Sequence, residues 1–63
     1  MREPLPTYLT AADVAEMLRV SAKSVYRFAA SDPTMPQLRI GGTVRFPADR
    51  FLRWLRSREG ARD

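Results

Sequence analysis

Lys23, Ser24, Tyr26 and Arg27 put two cations and two hydroxyls into one short stretch, and further along Arg39 and Arg45 bracket Gly41-Gly42-Thr43. Such groups donate hydrogen bonds and carry fixed positive charge. They suit phosphates and, through the planar guanidinium fork, the edges of guanine. Bond-making chemistry is poorly served, because the chain has no histidine and no cysteine. The commonest general acid/base, the Ser-His and Cys-His nucleophile pairs and the usual zinc ligands are therefore all missing. No catalytic residue, no metal site and no cofactor is expected. Eleven Lys+Arg against seven Asp+Glu give a formal charge of +4, and all but one of the cations are arginine. This balance points to a polyanionic partner, the alternative being a basic surface that meets only water.

The elements that must position these groups belong to one domain, because 63 residues lie where core burial is only just sufficient for independent folding. Without disulfides or thiolate-bound metal, stability has to come from one apolar core or from a bound partner. We expect residues 1–7 to be a flexible lead, 8–58 the domain and 59–63 a flexible tail. No stretch reaches the ~20 apolar residues of a membrane span, and Met1-Arg2-Glu3-Pro4-Leu5-Pro6 has no signal-peptide core. A cytoplasmic, nucleoid-associated protein of a bacterial cell with no membrane partner is the expectation.

Thr10-Ala11-Ala12-Asp13 reads as a capping box with the shorter acid at the third helical position. A first helix should run to about Leu18, with Ala11, Val14, Ala15 and Leu18 on a core-facing stripe. After the short break Arg19-Val20, Ser21 caps a second helix over about Ala22 to Ala30. Two short helices this close resemble a helix-turn-helix. On a wheel, Ala22, Val25, Phe28 and Ala29 share the inward arc, while Lys23, Arg27 and Ala30 face out with Ser24 and Tyr26 at the flanks. Ser31-Asp32-Pro33-Thr34-Met35-Pro36 ends the helix and links onward. A third helix should start at Pro47-Ala48-Asp49. Its Phe51, Leu52, Trp54 and Leu55 face inward, with Arg50, Arg53 and Arg56 on a solvated face.

Between the link and the third helix lies Arg39-Ile40-Gly41-Gly42-Thr43-Val44-Arg45-Phe46. Alternation puts Leu38 with Ile40, and Val44 with Phe46, on the apolar faces of two strands, with Arg39 and Arg45 opposite. A two-residue Gly41-Gly42 turn would bring Arg45 beside Leu38 on the apolar side. We therefore expect a three-residue loop or a bulge, with at least one glycine at positive φ. It would let Leu38, Ile40, Val44 and Phe46 share one face.

This order of elements resembles the winged-helix DNA-binding domains of the MerR-like and excisionase families. The likeness rests on three stretches of this sequence and one closing motif. They are Tyr8 to Ala15, Val20 to Phe28, Arg39 to Phe46, and Phe51-Leu52-Arg53-Trp54-Leu55. It implies a mainly α fold with a small β-hairpin: a winged helix-turn-helix of two helices, a two-stranded wing and a third packing helix. It further implies that the second helix enters the major groove of double-stranded DNA, giving Lys23, Ser24, Tyr26 and Arg27 as contacts. The wing would lie along a minor groove or phosphate backbone through Arg39, Gly41, Gly42, Thr43 and Arg45. Tyr26 could equally pack at the core edge; Phe28, Phe46, Phe51 and Trp54 are expected in the core.

MerR-type activators continue into a long dimerising helix and an effector domain, which this chain does not show. The resemblance then favours an excisionase, or recombination directionality factor. Such a protein bends phage attachment-site DNA, directs an integrase toward excision, and can self-associate cooperatively on DNA. The alternatives are a small MerR-like transcriptional regulator lacking an effector domain, and a protein-interaction module.

Overall fold

The computed structural model describes residues 7–60. Expectations for residues 1–6 and 61–63 lie outside the described residues. In chain order the elements are β1 (Tyr8–Leu9), α1 (Ala11–Leu18), α2 (Ala22–Ser31), β2 (Leu38–Ile40), β3 (Thr43–Pro47) and α3 (Ala48–Gly60). The architecture is three helices with a small antiparallel hairpin, that is, a winged helix-turn-helix. Tyr8 and Leu9, the first two residues of the expected domain, add a third strand to the wing, giving the order β1-β3-β2. Leu9 pairs with Phe46 and Tyr8 with Pro47, and the Thr7 carbonyl accepts the Ala48 N–H at 2.9 Å. The chain before α1 is thereby fixed where β3 passes into α3. At the other end, α3 runs through Glu59 to Gly60, two residues into the stretch expected to be tail.

Local chemistry explains both helix starts. Thr10 Oγ1 accepts the Asp13 N–H at 3.0 Å, and Asp13 Oδ2 accepts the Thr10 N–H at 2.9 Å. The capping box is complete with aspartate in the usual glutamate position. Ser21 Oγ accepts the Ser24 N–H at 3.1 Å, which satisfies an otherwise orphaned donor of α2. The turn between them closes on Arg19, a left-handed residue at φ 59°. Its N–H donates to the Glu16 carbonyl at 3.3 Å and that of Val20 to the Ala15 carbonyl at 3.0 Å, the paired bonds of a Schellman motif. A side chain here strains against its own backbone. Arg19→Gly is therefore expected to stabilise the fold by about 1 kcal/mol, and to raise Tm by about 4–8 °C, after the extra entropy of unfolded glycine is deducted. Calorimetry checks it; an unchanged or lower Tm would show that Arg19 makes compensating contacts.

The core consists of Ala11, Val14 and Ala15 from α1, Val25 and Ala29 from α2, Met35, Phe46 and Phe51. Leu9, Leu18, Val44, Leu52, Trp54 and Leu55 pack around it, half-buried. The Phe46 and Phe51 rings meet edge to face at 5.9 Å, and Phe51 stacks on Trp54 at 5.7 Å. Two inward assignments on α2 do not hold: Ala22 is exposed and Phe28 is 38% exposed. The helix is short and its partner α1 covers only the Val25–Ala29 line, so residues on either flank of that line stay wet. Met35, in the link, takes a place that the helical pattern could not foresee.

Side chains hold the link itself. Asp32 Oδ1 accepts the N–H and the hydroxyl of Thr34 at 3.0 and 2.6 Å, while Oδ2 pairs with Arg58. Trp54 Nε1 donates to Thr34 Oγ1 at 3.1 Å, and the Arg58 guanidinium lies over the Trp54 ring. Gln37 Nε2 donates to the Ala29 carbonyl at 2.9 Å. The Thr34 hydroxyl, then its N–H, then the Arg58 charge hold the Asp32 carboxyl below the usual carboxylate range. The end of α2, the link and α3 are thus joined through one ionised group.

Candidate nucleic-acid interface

On α2, Lys23, Tyr26 and Arg27 are exposed in succession, with Ala30 a further turn along. Lys23 and Arg27 stand one helical turn apart, and Tyr26 lies beside them on the same side. Tyr26 is 51% exposed, outside the core. Ser24 is half-buried. Its Oγ receives the Ser21 hydroxyl at 3.1 Å, which commits it partly to the cap. Small residues between the larger ones leave a low ridge with protruding donors, a shape able to enter a groove about 12 Å wide.

The wing differs from its expected form. Ile40 pairs with Thr43, Arg39 with Val44 and Leu38 with Arg45, so Gly41-Gly42 is a two-residue turn. Gly41 has φ +61° and Gly42 does not share the positive sign, the φ pattern of a type II′ turn, whose twist matches the flanking strands. The expected positive-φ glycine is present, but the expected three-residue loop or bulge is not. The register differs because Leu38 and Ile40 do not enter the core. Only β3 supplies the wing's core face, through Val44 and Phe46. Leu38 and Ile40 instead share the outer face with Thr43 and Arg45, at 37% and 63% exposure.

One consequence is that Arg39 and Arg45 do not leave the wing on the same face. Arg39 lies on the side of Val44 and is exposed; Arg45 lies on the outer side, half-buried. The Arg45 Nη1 donates to the Val44 carbonyl at 3.0 Å. Gly41, Gly42 and Thr43 are exposed at the tip. A Cβ added at either glycine would meet nothing within 4 Å, so only the φ of Gly41 demands glycine. Gly41→Ala is expected to cost about 1–2 kcal/mol, and Gly42→Ala to be neutral or stabilising by up to about 1 kcal/mol. Urea midpoints of the two variants check this, and the reverse order would refute the turn.

Charge sets the stretch from α2 through the wing apart. Between Glu16 and Asp49 the chain carries Arg19, Lys23, Arg27, Arg39 and Arg45 but one acid, Asp32, whose carboxylate is held by Thr34 and Arg58. The exposed cations of α2 and the wing thus have no free carboxylate within this stretch. Arg50, Arg53 and Arg56 are exposed on α3. No cluster of three or more metal-ligating side chains occurs among the described residues, and no helix among them is long and apolar enough to cross a membrane.

Residues 8–59 match the family model of a helix-turn-helix domain, which covers β1 through α3. The chain belongs to that helix-turn-helix family. No curated protein and no solved structure matches it. Domains of this kind are DNA-binding units found in excisionase-like proteins. Sequence reasoning missed the outward turn of Leu38 and Ile40. The signal was available, since a Gly-Gly pair between strands most simply makes a two-residue turn.

Proposed function

We propose that this helix-turn-helix protein is a sequence-specific architectural DNA-binding protein acting as an excisionase. In this role it bends attachment-site DNA and directs an integrase toward prophage excision. The observation that carries the DNA reading is that the exposed cations Lys23, Arg27 and Arg39 of α2 and the wing lie in a stretch whose one acid, Asp32, is held by Thr34 and Arg58. Lys23, Tyr26 and Arg27 enter the major groove, where Arg27 reads a guanine edge, Lys23 supplies a point charge and Tyr26 reaches phosphate. Ser24, tied to Ser21, contributes a backbone contact at the helix start. Arg39 and Arg45 leave opposite faces of the wing, so each addresses one wall of the groove that receives the tip. Gly41, Gly42 and Thr43 keep that tip narrow enough for the wing to follow the groove.

Bending DNA over a site of 20–30 base pairs costs about 1–6 kcal/mol, which several copies bound side by side would offset. The excisionase assignment is supported by the kind of domain and by a surface suited to backbone contact. The deciding experiment is a reconstituted recombination reaction on attachment-site DNA with its integrase, where excision is expected to require this protein. Full excision without it would overturn the assignment. A footprint confined to one palindromic promoter operator would make it a transcriptional regulator, and no shift of any duplex at moderate salt would make it a protein-interaction module.

A further inference from the structure

Ile40 is the most exposed large apolar side chain among the described residues, at 63%. It occupies the last position of β2, directly before the positive-φ Gly41 and opposite Thr43. Nothing in the fold uses it, since the core face of the wing belongs to Val44 and Phe46. A β-branched residue suits a strand, but so does threonine, which would not present four apolar carbons to water. The surroundings are positive: Arg39 and Arg45 lie nearby on β2 and β3, and residues 33–48 contain no acid.

We infer that Ile40 is an apolar wedge which the wing inserts into the minor groove of duplex DNA. There it presses against sugar and base edges and opens a base step. The inference rests on the DNA-binding reading and deepens it by assigning the bend to a residue. Charge complementarity selects the occupant, because a polyanion satisfies the flanking guanidiniums while its groove floor accepts the aliphatic side chain. A minor groove is about 6 Å wide, and a turn of two glycines is the narrowest support a side chain can have at that depth. Aliphatic wedges at such positions unstack a step and kink the duplex toward the major groove.

The test uses duplexes that the full-length protein recovers from a random-sequence pool, assayed for affinity by mobility shift and for bend by circular permutation. Ile40→Ala is expected to weaken binding about tenfold through lost apolar burial, and to reduce the bend. Ile40→Val should keep both. Ile40→Lys should steepen the salt dependence by about one unit of slope yet still lose the bend, which separates a wedge from simple charge attraction. All three variants should melt with the parent, because the side chain stands in solvent.

Unchanged affinity and bend for Ile40→Ala would overturn the wedge while leaving DNA binding intact. Failure of the parent to recover any duplex would overturn both readings together. A change in sedimentation of Ile40→Ala without a change in bend would place Ile40 at a contact between copies instead, and would also overturn the wedge.

Discussion

Phe51→Ala is expected to leave this protein largely unfolded at 25 °C in the absence of a ligand. Phe51 has no exposed surface, and its ring joins β3 to α3 through Phe46 and Trp54. Truncating a buried phenylalanine costs about 3–5 kcal/mol, because apolar transfer is lost and a cavity remains. In a chain of 63 residues with no cysteine, a single hydrophobic core rarely supplies more than about 3–5 kcal/mol of stability. The loss therefore consumes most or all of the margin. The other ties of α3 are weaker: Leu52 and Leu55 are only half-buried, Trp54 makes one exposed hydrogen bond to Thr34, there is no disulfide, and the pair between Asp32 and Arg58 lies at the surface, where such a pair contributes little. Far-UV circular dichroism with a urea titration reads the result. Phe51→Leu, which keeps most of the volume, should retain a cooperative transition. A Phe51→Ala protein melting within a few degrees of the parent would mean that the core can collapse around the gap.

What the sequence revealed follows how local each determinant is. The caps were legible because a side chain and a backbone N–H three residues apart settle them, as at Thr10 with Asp13 and Ser21 with Ser24. The stripe of α1 was legible because Ala11, Val14 and Ala15 face one continuous partner. Phe28 and Met35 were not, since both depend on where the link returns against α3, and no period in the sequence encodes that. The wing failed for a related reason. Alternation tells which residues share a face of one strand, but not whether anything lies opposite that face. On β2 nothing does, so Leu38 and Ile40 satisfied the pattern while pointing into water. The turn residues carried the better information there. The exposed set Lys23, Tyr26 and Arg27 was readable from the wheel alone, being what remains after the core stripe of a short helix is removed.

Arg27→Ala is expected to weaken binding to the preferred DNA site by about 1–3 kcal/mol, between about fivefold and about 150-fold, and to relax sequence preference at one position. The side chain is exposed on the face of α2 that also bears Lys23 and Tyr26, and no internal ion pair among the described residues holds it. Its loss therefore removes a contact to DNA without leaving a buried charge behind, and the folded stability should not change. The matching change on the wing is Arg39→Ala. It should weaken all sequences alike and lower the salt slope by about one, the signature of a phosphate contact. Arg39 is the cleaner probe than Arg45, whose guanidinium is half-buried and bonded to the Val44 carbonyl, so that its removal disturbs the wing as well. Titrations at several salt concentrations, on selected and on scrambled duplexes, separate the two roles. Arg27→Ala should lower the ratio of selected to scrambled affinity, whereas Arg39→Ala should leave that ratio unchanged. If both variants moved the ratio equally, the helix and the wing would not divide recognition between base edges and backbone.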